Sequence, residues 1–181
     1  MAEIALGVTG SIAAFKAATL ASSLTKNGVK VTTVLTRHAQ EFVGAPTFWG
    51  ITRASVITED YSADNPGESE RIELADRLDL LIVAPATANV IASLAHGLAS
   101  DYLTTLALSV RCPLWIAPAM NDAMWEHPAV QENLTTLKNR GARVLEPESG
   151  VLACGHTGPG RLMDPEEIAR LVLEQLGTGS G

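Results

Sequence analysis

Apolar residues along the chain come in short runs that close on turns or polar clusters, separated by stretches with helical spacing. The first run, EIALGV at residues 3–8, gives way to a turn at Gly10 and reads as a strand. From Ser11 to Gly28 the spacing turns helical: Ile12, Phe15, Ala18 and Leu20 form one apolar stripe, Ser11 is placed to cap its start, and Asn27-Gly28 to stop it. VKVTTVLT (29–36) is a β-branched second strand. DLLIVAPATAN (79–89) is apolar through Ala84 without alternation, as expected of a parallel strand buried on both faces, and CPLWIAPAMN (112–121) repeats the shape. ARVLEP (142–147) is a further strand of this kind, and 91–109, 128–140 and 165–176 carry helical patterns. The acidic stretch EDYSADNPGESE (59–70), with Pro66-Gly67, reads as an exposed loop.

Strand–helix units in this order predict an α/β fold, a doubly wound parallel sheet with right-handed crossovers. One domain is expected over residues 1–176, followed by a flexible GTGSG tail at 177–181. In such sheets ligands bind beyond the C-terminal strand ends, so loops 8–12, 36–42, 85–90 and 118–125 are where function is expected.

Composition narrows the chemistry. The 181 residues are 46% hydrophobic and 18% charged, with a net charge of -7. That balance argues against nucleic acid and anionic membrane as partners, since both call for clustered Lys and Arg. No apolar run approaches about 18 residues and no basic leader opens the chain, so a cytoplasmic protein is expected. The two cysteines, Cys112 and Cys154, read as thiols, and the four histidines (His38, His96, His127 and His156) are scattered. With neither a CxxC nor an HExxH spacing, no metal site is expected.

The segment GVTGSIAAFKAA (7–18) has the outline of a phosphate-binding turn: glycines after a strand, then a helix whose first N–H groups can meet an anion. It lacks the G-x-G-x-x-G spacing of dinucleotide folds, and the second strand ends in Leu35-Thr36-Arg37-His38 where those folds place a carboxylate. Hydroxyls and cations suit a terminal phosphate better than a ribose. The alternative for Gly10 and Ser11 is a plain helix-capping turn.

Three further motifs, APATAN (84–89), APAMNDAMW (117–125) and ACGHTGPGRLM (153–163), occur in an order that resembles the flavin-dependent cysteine decarboxylases. That family includes phosphopantothenoylcysteine decarboxylase and the peptidyl-cysteine decarboxylases of lantibiotic-type pathways. The resemblance covers residues 3–176 and implies a Rossmann-like flavoprotein fold, bound FMN, and a homotrimer or homododecamer. Position by position, it implies that Gly10, Ser11 and Thr36 hold the FMN phosphate, that Phe42 flanks the flavin, and that Thr87, Ala88, Asn89 and Ala119 contact it. It assigns Asn121 to the substrate carboxylate end, and Cys154 and Met163 to a substrate-covering segment. Asn121 could equally cap the helix that follows, and Cys154 could be an inert thiol.

The implied chemistry is oxidative decarboxylation of a cysteine, in which flavin accepts a hydride, CO2 leaves and an enethiolate remains. The family's His-Ile-x-Leu motif, which begins with its active-site base, has Arg71 in the histidine's place, while Ile72, Leu74 and Asp79 keep theirs. An arginine, with a pKa above about 12, is no base near neutrality, but it can hold a carboxylate or stabilise a thiolate. Arg71, Asn121 and Cys154 are therefore the candidate catalytic residues. Cys154 favours a phosphopantothenoyl substrate. Arg71, and a length without a fused ligase domain, lean instead to the C-terminal cysteine of a peptide, which is the expected substrate. The alternatives are phosphopantothenoylcysteine and a flavin-binding subunit without activity.

Overall fold

The unbroken apolar runs become the inner strands of a sheet covered on both faces. The structure, a computed structural model, describes residues 1–58, 68–151, 153, 155 and 157–177, with residues 68–71 described by their backbone alone. In chain order the elements are β1 (Glu3–Val8), α1 (Ala14–Lys26), β2 (Lys30–Leu35), a 3-10 turn (Arg37–Glu41), α2 (Ala45–Thr52), β3 (Val56–Thr58), α3 (Glu68–Arg77) and β4 (Leu80–Ala86). There follow α4 (Ala88–His96), α5 (Tyr102–Ser109), β5 (Leu114–Pro118), α6 (Asp122–Trp125), α7 (Pro128–Asn139), β6 (Arg143–Val144), β7 (Glu148–Val151), β8 (Thr157–Arg161) and α8 (Pro165–Gln175).

Six strands form one sheet in the order β3-β2-β1-β4-β5-β6, with every neighbouring pair parallel. Alternate residues of the central strands feed two cores. Leu6, Ile82 and Ala84 pack with Leu20 and Leu24 of α1, Phe48 of α2 and Ile168 of α8 on one face. Leu81 and Val83 pack with Ile91 and Leu94 of α4, Leu103 of α5 and Leu134 of α7 on the other. This is the expected doubly wound, Rossmann-like arrangement, and it explains why β1 and β4 are apolar without alternation.

Several elements depart from the sequence reading. The helix expected over 91–109 is two helices: α4 stops at Gly97, whose φ of 68° is left-handed, and α5 begins with a capping box between Asp101 and Thr104. Helix α1 begins at Ala14, not Ser11; the Ser11 hydroxyl accepts the Ala13 N–H at 3.2 Å within the preceding turn. Its buried stripe is Ala14, Ala17, Leu20, Ala21 and Leu24, while Ile12 and Phe15 are each 61% exposed. Strand β3, helix α2 and the antiparallel β7–β8 hairpin were not expected, and α3 begins within the stretch read as a loop.

The strand order reverses between β1 and β4, whose following helices leave to opposite faces and open a crevice between them. Thr9, 1% exposed, spans its base: its hydroxyl donates to the Pro85 carbonyl at 2.7 Å and accepts the Thr87 N–H at 3.1 Å. The Ala84–Pro85 peptide, in the same turn, is cis. Replacing Thr9 by the isosteric valine leaves two buried backbone groups without that partner. Thr9→Val is expected to lower unfolding stability by about 2 kcal/mol, read as a reduced midpoint in urea denaturation.

Candidate functional site

A cavity of ≈ 640 Å³ lies over this crevice. Its walls are the loop and first turns of α1 (Gly10, Ser11, Ile12, Ala13, Phe15, Lys16), the head of α4 (Thr87, Ala88), the segment after β5 (Ala119, Met120, Asn121, Met124), and the hairpin (Val151, Ala153, Gly160, Arg161, Leu162). The volume suits a cofactor-sized ligand. Ile12 and Phe15, which leave the core stripe of α1, are spent on the cavity instead.

Each wall is fixed by a local device. Thr87 caps α4 through the Val90 N–H at 3.4 Å, so both α1 and α4 turn their N-terminal ends toward the cavity. Asn121 caps α6, its Oδ1 accepting the Ala123 N–H at 2.9 Å, while also lining the cavity. The hairpin is hooked to the same segment at a bulge: Gly160, with φ of 128°, accepts the Met120 N–H at 2.9 Å, and a Cβ there would overlap the Met120 carbonyl oxygen.

Gly10 has a different reason to be glycine. A Cβ at this position would lie 2.5 Å from the His38 Cβ and 3.2 Å from the His38 carbonyl carbon. The missing side chain lets the 3-10 turn after β2 close onto the turn after β1, where the Thr36 N–H donates to the Val8 carbonyl at 3.1 Å.

The lining has a sign. Lys16 and Arg161 contribute two cations, and among the described residues no Asp or Glu lines the cavity. Neither cation makes a hydrogen bond or ion pair with the described residues, unlike Lys30 and Arg77, which share the Glu3 carboxylate at 3.2 and 2.9 Å at the opposite end of the sheet. Two helix N-termini and two cations within apolar walls give the cavity an anion-attracting lining in a chain of net charge -7.

Of the residues singled out from sequence, Gly10, Ser11, Thr87, Ala88, Ala119 and Asn121 meet at the cavity. Thr36 is buried beside it and caps the 3-10 turn through the Ala39 N–H at 3.3 Å. Phe42 lies at the end of that turn, Asn89 faces outward from α4, and Met163 packs against the core; none of the three lines the cavity. Arg71 falls in α3, where only its backbone is described, and Cys154 lies outside the described residues. Cys112 sits before β5, and burial pushes its thiol up, away from reactivity. Thr9, Lys16 and Arg161 were given no role by the sequence reading. Thr9 and Lys16 stand inside the segment read for its glycines and Arg161 inside the ACGHTGPGRLM motif, and only the arrangement in space separates them from their neighbours.

The family model described as Flavoprotein matches residues 1–177. The chain belongs to the flavoprotein family. Among curated relatives, this flavoprotein is 42% identical over 176 residues to the probable phosphopantothenoylcysteine decarboxylase of Streptococcus mutans, covering 96% of this chain and 98% of that one. It is 46% identical over 169 residues to the coenzyme A biosynthesis bifunctional protein CoaBC of Bacillus subtilis, covering 93% of this chain but 42% of the longer protein. Among solved structures, a PPC decarboxylase complexed with pantothenoylaminoethenethiol matches with a TM-score of 0.85 at 27% identity, over 97% of this chain and 98% of that one. The FMN-dependent cysteine decarboxylase SpaF matches with a TM-score of 0.82 at 32% identity, over 97% and 98%. The resemblance drawn from APATAN, APAMNDAMW and ACGHTGPGRLM is thus matched by relatives of both branches, coenzyme A and cysteine decarboxylase.

If Gly10 serves to admit His38, the two positions are coupled. Gly10→Ala is expected to cost about 1–3 kcal/mol in chemical denaturation, and removing the opposing Cβ in Gly10→Ala/His38→Gly to recover part of that loss.

Proposed function

We propose that this flavoprotein is an FMN-dependent phosphopantothenoylcysteine decarboxylase. The observation that carries the reading is its end-to-end correspondence with the Streptococcus mutans relative, together with 40–46% identity to the CoaBC proteins of several bacteria. The peptide substrate expected from sequence is supported less well. The cysteine decarboxylase SpaF is 32% identical, and a cavity with two cations and no Asp or Glu among its described lining residues favours a substrate that carries a phosphate.

The donor set fits FMN. The turn at Gly10–Ala13 and the head of α4 offer backbone N–H groups and the Ser11 and Thr87 hydroxyls to a phosphate, and Ala119 and Met120 offer an apolar wall to a ring system. When bound, the flavin would supply hydride acceptance from the cysteine side chain and hydride return after CO2 has left, so that the net change is loss of CO2 alone. The protein holds and orients the substrate and keeps water from the reacting carbon. Asn121 takes the carboxylate end of the cysteine, Arg71 stabilises negative charge that the thiol acquires, and Cys154 returns a proton to the product. The apolar rim of Ile12, Phe15, Met124 and Val151 is where a second copy of the chain completes the cavity in the homotrimer that this reading includes.

Reconstituted with FMN and given phosphopantothenoylcysteine, the protein is expected to remove about 44 mass units (CO2) and return a saturated thiol. A loss of about 46 units from a cysteine-terminated peptide, without turnover of phosphopantothenoylcysteine, would replace this reading with the peptide one. Bound flavin together with no mass loss from either cysteine substrate would mean a flavin-binding subunit without activity. Ser11→Ala is expected to weaken FMN binding about tenfold, measured by quenching of flavin fluorescence, and to leave riboflavin binding less affected.

A further inference from the structure

Gly150 lies in the interior of β7, where glycine weakens a strand and calls for a local reason. Its φ is not in the left-handed region, so the backbone does not require it. The reason is Arg161. A Cβ on Gly150 would overlap the Arg161 guanidinium and lie 2.9 Å from its Cδ. Hairpin register pairs Gly150 with Gly158 and Glu148 with Arg161, with the bulge at Gly160 between. The Arg161 side chain therefore crosses from β8 over the bare backbone of β7. There it lines the cavity, partly buried, and no carboxylate among the described residues neutralises it.

An unpaired guanidinium that is partly desolvated and given a seat by a missing side chain is poised for an anion that arrives from outside. Arginine suits a phosphate monoester in particular, because its planar fork can donate two parallel hydrogen bonds to two phosphate oxygens. Lys16, on the α1 wall of the same cavity, adds a second positive charge. Two phosphates are candidates, those of FMN and of the substrate. The turn at Gly10–Ala13 and the α4 head already provide for the first with neutral donors, whereas Arg161 comes from the hairpin, a separate wall.

We propose that Arg161, seated over Gly150 and assisted by Lys16, is the specificity residue that recognises the terminal phosphate of the substrate and sets the preference for phosphopantothenoyl over pantothenoyl compounds. The proposal rests on the substrate class argued above, and its test separates the two. The FMN-loaded protein is titrated calorimetrically with phosphopantothenate and pantothenate, and its KM is measured for phosphopantothenoylcysteine and pantothenoylcysteine.

The wild type is expected to prefer the phosphorylated partner of each pair by roughly 10- to 100-fold. R161Q should bring that preference close to one, R161K should retain part of it, and G150A should reduce it although the charge is still present. FMN and riboflavin affinities of the R161Q apoprotein are measured in parallel. If R161Q weakens FMN but not riboflavin binding, the guanidinium serves the flavin phosphate and the proposal is overturned. It is overturned equally if R161Q leaves the phosphate preference intact, or if the wild type has no such preference. Failure to decarboxylate phosphopantothenoylcysteine would instead overturn the substrate reading, whatever Arg161 does in the binding experiment.

Discussion

The geometry of the site depends on the Thr9 hydroxyl. At the point where the strand order reverses, two neighbouring parallel strands send their chains to opposite faces of the sheet, and nothing in the ladder of hydrogen bonds fixes how far apart they then run. Between Val83 and Ala86 the β4–β5 register shifts, and the strands pair again at Ala86 and Pro118. One buried hydroxyl closes the gap, donating to Pro85 and accepting from Thr87. Two hydrogen bonds in a dry setting hold the α1 turn and the head of α4 at a fixed separation. The walls that carry Ser11 on one side and Thr87 and Ala88 on the other take their spacing from it.

Glycines around the cavity act largely by what they leave room for. Gly10 admits His38, and with it the turn that follows β2; Gly150 admits the Arg161 side chain. A phosphate-binding fingerprint reads glycine as close approach of backbone to ligand, and here the approaching group is another part of the protein. The G-x-x-G spacing at residues 7–10 is then no damaged dinucleotide motif. Gly7, buried in β1, faces Leu103 of α5, whose Cδ1 would lie 2.5 Å from a Cβ placed there, so it serves packing against α5 while Gly10 serves the turn after β2.

Much of this was legible in the sequence, for a physical reason. Strands buried on both faces must be apolar throughout, so β1, β4 and β5 announce themselves, and their loops locate the site before any side chain is placed. What escaped is what burial does not govern. The break between α4 and α5 rests on a left-handed glycine and a capping box inside an otherwise continuous apolar pattern. Strand β3 is three partly buried residues at a sheet edge, and the glycine-rich strands of the hairpin carry no alternation to read. Ile12 and Phe15 continue the periodicity of α1, yet they precede or begin the helix and project past the sheet, where the cavity and not the core receives them. Periodicity identifies a face; it does not say how far along the helix that face stays covered.

Charge gives the sharpest contrast between the whole and the part. A net charge of -7 argues against a polyanion lying across the surface, since that needs many cations over a wide area. A single phosphate needs two or three donors in a concave, water-poor place, and such a place draws its field from groups within a few ångströms. Acidic residues elsewhere are screened over about 8–10 Å at ordinary ionic strength. Glu3, Glu146, Glu167 and Glu174 hold cations of their own at surfaces away from the cavity. Lys16 and Arg161 have no such partners among the described residues, and this gives the cavity its local positive character without altering the total.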